Sequence, residues 1–268
     1  MELEIYQVDS FTTEPFKGNP AGACITTHGL SESLMLSIAQ EMAVSETAFL
    51  SLADMRLRWF TPKSEVKLCG HGTLAVAHVL REKGLVESGD RVAFETLSGT
   101  LTADVNESTV ELDFPSPIIE LDTPAPIDLF KHLGIETSSV VSIGQFDSKV
   151  FIEVDHEGTL LNLNPNFDAM KQSKGRGVLI TARSERQDVD FVSRYFAPWV
   201  GVNEDPVTGS AHCALSIYWS EKLGKQKLHG YQASERGGYV VTELLPNGRT
   251  KLTGSAVTLI KGIMQVPL

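Results

Sequence analysis

Apolar residues along the first third of the chain fall into two periods. Leu34, Met35, Ile38, Ala39 and Met42 recur three and four apart, the single stripe of a helix over 31–44, with Ser31 placed to cap it. Residues 2–8, 20–27, TAFLSL (47–52) and MRLRWF (55–60) read instead as extended segments. From 91 to 114 the chain alternates through VAFETL, TLTADV and TVELDF, with Ser98-Gly99 and Asn106 as turn signals, so strands follow one another.

Residues 115–126, PSPIIELDTPAP, hold four of the twelve prolines. Proline removes ladder donors and stiffens the backbone, so a domain boundary is expected there. Beyond it, strands are expected near 139–144, 149–154, 177–182, 227–233, 238–244 and 256–260. The second half also repeats an element of the first. Arg58-Trp-Phe-Thr-Pro62 returns as Arg194-Tyr-Phe-Ala-Pro198, a separation of 136 residues. Each copy is followed by a loop, a Gly plus hydroxyl pair (Gly72-Thr73, Gly209-Ser210) and an apolar helix, expected over 72–83 and 209–223. LAVAHVL (74–80) and AHCALSIYW (211–219) are apolar nearly all round, which marks buried helices, and Gly84 and Gly224 are natural stops. The expected fold is α/β (α+β): two pseudo-symmetric domains, each a curved, mostly antiparallel sheet wrapped around a central helix. The division between them is expected within 115–126.

The net charge of −11 and the lack of a basic run argue against nucleic acid as a partner. The start MELEIYQVDSF lacks the basic and apolar regions of a signal peptide, and no apolar run approaches the ~20 residues that span a bilayer, so a cytoplasmic location without membrane contact is expected. Cys24, Cys69 and Cys213 form no CxxC pair, and no HExxH or paired-His spacing occurs, so reduced thiols and no metal are expected. Gly70-x-Gly72-x-x-Ala75 imitates a dinucleotide fingerprint but lacks the β-α-β alternation it needs. No cofactor is expected.

Chemistry is expected at the two helix starts. Cys69-Gly-His-Gly-Thr73 and Asp205-Pro-Val-Thr-Gly-Ser210 lead into buried helices, whose free N–H groups and dipole favour a carboxylate. Simple capping accounts for either loop alone; duplication favours a joint role. The expectation is that Glu46, His71, Asp205 and Ser210 converge on one interdomain cleft. His71, between two glycines, suits proton transfer. Asp205 matches Cys69 when the halves are aligned. Glu46 lies where helix gives way to strand among apolar residues, and burial there is expected to raise its pKa towards neutrality.

These motifs resemble one family. Asp9-Ser-Phe-Thr, Pro15-Phe-Lys-Gly-Asn19-Pro-Ala-Gly22, Ser45-Glu-Thr-Ala-Phe49, Arg58-Trp-Phe-Thr-Pro62, Cys69-Gly-His-Gly-Thr73, Glu204-Asp-Pro-Val-Thr-Gly-Ser-Ala211 and Gly254-Ser-Ala-Val257 resemble, in order and spacing, the phenazine-biosynthesis-like (PhzF) proteins. The resemblance implies two diaminopimelate-epimerase-like domains and a last strand returning to the first, which sets the boundaries at 1–115 plus 256–268 for the first domain and 116–255 for the second. It also implies a homodimer and an isomerase of the trans-2,3-dihydro-3-hydroxyanthranilate type, acting without metal or coenzyme. By motif, Glu46 shuttles the proton, and His71 and Asp205 orient and polarise the substrate. Ser210, Gly209, Gly70, Gly72 and Thr73 bind a small carboxylate. Asn19 and Cys69 are further candidates. The related epimerases carry cysteines at the positions of both Cys69 and Asp205; this chain has only the first. An epimerase variant using Cys69 and a non-catalytic anion-binding protein are the alternatives.

Overall fold

The computed structural model describes residues 1–126 and 128–266; Pro267 and Leu268, the end of the expected 256–268 segment, lie outside the described residues. The chain divides into one unit made of Met1–Phe114 with Leu252–Leu268, and a second made of Pro115–Lys251.

In the first unit the order is β1 (Glu2–Ser10), β2 (Asn19–Thr26), α1 (Glu32–Met42), β3 (Glu46–Ser51), β4 (Arg56–Phe60), β5 (Glu65–Val66), α2 (Gly70–Glu82), β6 (Arg91–Thr96), β7 (Gly99–Val105) and β8 (Val110–Pro115). The second runs β9 (Glu120–Leu121), α3 (Leu129–Leu133), β10 (Val140–Phe146), β11 (Lys149–Val154), α4 (Glu157–Leu161), α5 (Phe167–Lys171), β12 (Val178–Arg183), β13 (Phe191–Ala197), β14 (Val202–Glu204), α6 (Gly209–Leu223), β15 (Lys227–Gln232) and β16 (Gly238–Leu244), and β17 (Arg249–Gly254) begins in the second unit and ends in the first. The final strand, β18 (Ala256–Gln265), pairs antiparallel with β1.

The two units repeat one pairing scheme. β1 lies antiparallel to β2, β2 parallel to β3, β3 antiparallel to β4, β4 antiparallel to β5 and parallel to β6, and β6 antiparallel to β7. β10, β11, β12, β13, β14, β15 and β16 repeat those relations in the same order. The repeated Arg-x-Phe-x-Pro element makes the same contacts twice. Arg58 grips Glu65 through Nε–Oε1 at 2.7 Å and Nη2–Oε2 at 2.6 Å. Arg194 grips Glu204 at 2.7 and 2.9 Å. Each guanidinium also lies over a ring two residues on, 5.1 Å from Phe60 and 4.9 Å from Phe196. The planar fork that matches a carboxylate and stacks on a ring explains arginine in both copies.

Each unit has a central helix. α2 packs against β1, β2, β3, β7 and β18, and α6 against β15 and β16. Ala211, Ala214, Leu215 and Trp219 of α6 share one core with Phe151, Leu179 and Phe191. Along β12, Leu179 faces that core, while Val178, Ile180 and Ala182 belong to a second core on the other side with Leu129, Leu160 and Met170 of α3, α4 and α5. A strand covered on both faces reads as an unbroken apolar run, as VLITA does. α1 covers the matching face in the first unit, where Met35, Ile38 and Ala39 meet Leu3, Ile5 and Phe49.

The expected 72–83 helix starts two residues earlier, at Gly70, because the Cys69 side chain caps it, accepting from Gly72 N–H at 3.4 Å. β5, β9, β13, β14 and β17 were not anticipated as strands, nor were the five-residue helices α3–α5, which are too short to carry a period.

Candidate active site

In the first unit the candidate residues gather at one end of the sheet. Ser10 ends β1 opposite Asn19, which begins β2 and is fully buried. Glu46 begins β3 opposite Ala21, two residues further along β2. Ala43 stops α1 in the left-handed region (φ 52°) and turns the chain into that strand. α2 enters the same end. Ser10 Oγ donates to the His71 carbonyl at 2.8 Å, and Thr73 Oγ1 donates to the Cys69 carbonyl at 2.7 Å. A Cβ on Gly72 would stand 2.9 Å from Trp59 Cδ1 and 3.0 Å from Cys69 Sγ, so glycine is a packing requirement there.

The result is a tight acid–base group. His71 Nε2 lies 3.1 Å from Glu46 Oε2 and 3.2 Å from Ser45 Oγ. Cys69 Sγ lies 3.6 Å from His71 Nδ1 and 3.7 Å from Nε2. His71 is 9 % exposed at its side chain and Glu46 21 %. Burial opposes charge on His71, but its partners outweigh burial and raise its pKa well above the ordinary value. Burial pushes the Cys69 thiol up, with His71 opposing and Glu46 adding to it. Cys69 first, and Glu46 after it, are the partners that raise His71 against its burial.

For Glu46 the sequence-based expectation of a raised pKa is corrected. Burial does push it up, but the His71 hydrogen bond and charge, helped by Ser45, bring it below the usual value. Thr73 is also recast: it is fully buried and its hydroxyl proton is committed to Cys69, which makes it part of the helix start rather than an open donor.

In the second unit, Asp205 Oδ2 accepts from Thr208 Oγ1 at 2.6 Å, and the Asp205 N–H donates to the Tyr195 carbonyl at 3.0 Å. Gln232, fully buried, braces this loop. Its Oε1 accepts from Thr208 N–H at 2.9 Å, and its Nε2 donates to the Asp205 carbonyl at 2.6 Å. Gly209 and Ser210 open α6. Lys149 Nζ donates to Ser210 Oγ at 3.2 Å from a side chain only 8 % exposed, and burial lowers its pKa, with Asp147 opposing.

Lys149, Gln232 and Ser45 were not singled out from sequence. For Lys149 the repeat carries the signal: it opens β11 as Asn19 opens β2. The first residue of β12, the counterpart of β3, is Val178, so the carboxylate at Glu46 occurs in one half only. The Glu46–His71 pair thus belongs to the first unit, and the buried Lys149 to the second.

No metal was expected from motif spacing, yet the fold assembles a ligand set: one atom each from Glu46, Cys69 and His71, all within 4.8 Å of one another. All three cysteines are buried, and none is in a disulfide. No helix among the described residues is long and apolar enough to cross a membrane.

The family model for phenazine biosynthesis-like protein matches residues 8–262. The chain belongs to the phenazine biosynthesis-like family. An uncharacterized isomerase of Halalkalibacterium halodurans is 45 % identical over 263 residues, 97 % of this chain and 98 % of that one. The crystal structure of a PhzF family phenazine biosynthesis protein from Enterococcus faecalis superposes with a TM-score of 0.91 at 37 % identity, covering 99 % of this chain and 100 % of that one. A probable proline racemase from Agrobacterium radiobacter, TM-score 0.64 at 15 % identity over 99 % of this chain and 93 % of that one, shares the fold alone. This phenazine biosynthesis-like chain therefore has the two-unit epimerase-like fold, each sheet built around one buried helix.

Proposed function

We propose that this chain is an isomerase that moves a carbon-bound proton within one small carboxylic acid. The observation that carries the reading is the His71–Glu46 pair, 3.1 Å apart. A carbon acid needs a base near its reacting carbon and an electrophile for the charge that develops. Glu46, held as a carboxylate by His71, takes the proton. The electron pair passes into the substrate's conjugated acid, where the His71 imidazolium supplies a donor. Glu46, now the acid, returns the proton to a second carbon of the same molecule. The proposal assigns the substrate carboxylate to Lys149, Ser210 and the first-turn N–H groups of α6, and a substrate amino or hydroxyl group to Asp205. The relative named as an isomerase, at 45 % identity, supports the reaction class.

A cyclic dienyl acid of the dihydro-hydroxyanthranilate kind has the acidified C–H this chemistry needs, and is the first compound to test. Incubation in deuterated water, followed by NMR, should show deuterium at the carbon that receives the proton. Glu46→Gln should cut turnover by about 10²-fold or more. Unchanged exchange in that variant removes Glu46 from the role of base.

A second reading has one observation behind it: Cys69 Sγ lies 3.6 Å from His71 Nδ1, so a thiol shares the acid–base group. An amino-acid epimerase using Cys69 would lose its exchange in Cys69→Ser and keep some of it in Glu46→Gln. Carboxylate binding by the wild type with no exchange of any substrate would mark an anion-binding protein.

A further inference from the structure

The start of β3 and the first turn of α2 bring together three side chains that are each metal ligands in their own right. Cys69 offers a thiolate, His71 an imidazole nitrogen and Glu46 a carboxylate oxygen, and the three atoms lie within 4.8 Å of one another. Among the described residues this is the only such trio. A tetrahedral zinc ion holds sulfur at ~2.3 Å and nitrogen or oxygen at ~2.0–2.2 Å, which sets ligand–ligand edges of roughly 3.3–3.6 Å. Two edges are close in length, Sγ to Nε2 at 3.7 Å and Nε2 to Oε2 at 3.1 Å, and because Sγ is equally near Nδ1 at 3.6 Å the His71 ring must turn to aim Nε2 at the shared point. Glu46, the most exposed of the three, has the side-chain freedom to close the third. A Cys, His, Glu set suits zinc; magnesium and calcium call for oxygen ligands throughout. Three protein ligands leave a fourth position for water or an anion.

We propose that Zn2+ binds to Glu46, Cys69 and His71, one ion per chain, and reversibly silences the enzyme. Binding forms Zn–S, Zn–N and Zn–O bonds and releases two protons to solvent, one from the Cys69 thiol and one from the His71 imidazolium, with no change of oxidation state. The Glu46 lone pair that would carry the substrate proton and the His71 nitrogen that would donate to the developing charge are then committed to the metal. The binding stands independently of the isomerase reading; the silencing rests on it.

The test uses the full chain kept reduced with a phosphine. Co2+ serves as a spectroscopic probe, and Zn2+ is titrated against a chromophoric chelator. The wild type should show a thiolate-to-cobalt charge-transfer band saturating at one equivalent, displaced by Zn2+. Cys69→Ser should abolish the band and weaken zinc binding at least about tenfold. Cys24→Ser and Cys213→Ser should keep the band. His71→Asn provides the same loss of zinc affinity should the Cys69 variant fail to fold. No band in the wild type, or zinc binding untouched by Cys69→Ser and His71→Asn, overturns the site. Where the wild type exchanges substrate protons, one equivalent of Zn2+ should stop exchange and a chelator restore it. Exchange that continues with the site loaded overturns the silencing. A loaded site in a chain that exchanges nothing upholds the metal site and fails the isomerase reading alone.

Discussion

Lys149 donates from Nζ to Ser210 Oγ at 3.2 Å, and the two residues stand 61 positions apart in the chain. A buried ammonium is costly unless something negative or strongly polar meets it. Lys149 sits with its Nζ 4.8 Å from the Phe146 ring centroid and 3.8 Å from an Asp147 carboxylate that is 55 % exposed. A substrate carboxylate would complete its shell. Lys149→Met keeps the stem and removes the charge. It should raise KM for a carboxylate substrate by about tenfold or more while changing kcat less, because it removes ground-state binding. A variant with unaltered KM and a collapsed kcat would place Lys149 in the chemistry instead.

Gly72→Ala tests the packing beneath His71. In an ordinary helix the change is favourable by about 1 kcal/mol. Here the new methyl meets Trp59 Cδ1 at 2.9 Å and Cys69 Sγ at 3.0 Å, with Trp59 itself buried. Overpacking costs ~1–3 kcal/mol, so the net should be a loss of about 1 kcal/mol in urea unfolding. An increase in stability would mean that Trp59 has room to move.

The repeated arginines should differ in worth. Arg58→Lys breaks a two-pronged pair with Glu65 and a contact with Glu32, whose side chain is 71 % exposed and adds little. Arg194→Lys breaks the matching pair with Glu204 and also the bond from Nη1 to the Leu163 carbonyl at 2.8 Å, just beyond α4. Hydrogen bonds to charged groups contribute ~1.5–3 kcal/mol, so Arg194→Lys should destabilise more than Arg58→Lys. Equal midpoints in denaturation would show that the Leu163 contact contributes nothing.

His212 makes stability depend on pH. It lies wholly inside the second unit, and burial lowers its pKa from 6.5 to about 4, against an opposing bond with the Thr208 backbone. Nδ1 lies 2.9 Å from the Thr208 carbonyl, so it carries the proton, and Nε2 has no hydrogen-bond partner. Above pH ~6.5 both folded and unfolded chains hold the ring neutral and there is no effect. As pH falls from there towards 4 the unfolded chain binds a proton that the folded one refuses, so stability drops. Full development of that shift is worth about 3 kcal/mol. His212→Asn preserves a donor towards Thr208 and removes the titration. Its unfolding free energy should therefore fall less than the wild type's between pH 7 and 4. Parallel pH profiles would exclude His212 as the source.

Much of the fold was legible because it rests on local periodicity. The stripe of α1, the all-round apolar character of α2 and α6, and the alternation through β6, β7 and β8 each reflect one residue's neighbours along the chain. The span 209–223 for α6 follows from an apolar run that ends at a glycine able to adopt a positive φ, here 65°. The doubled Arg-x-Phe-x-Pro element likewise announced a doubled sheet, since its contacts within each copy are short in sequence. Other features depend on residues brought together by the sheet. Burial alone would raise the Glu46 pKa; His71, 25 positions later, reverses the sign. Lys149 donates to Ser210 only because β11 sets it beside the first turn of α6. Cys69, His71 and Glu46 have no ligand spacing in the sequence, yet β3 and α2 bring one ligand atom of each within 4.8 Å of the others. Periodicity dictates which face of an element is buried. The electrostatics of a site depend on distances of a few ångströms between elements, and those arise only when the sheet closes around its helix.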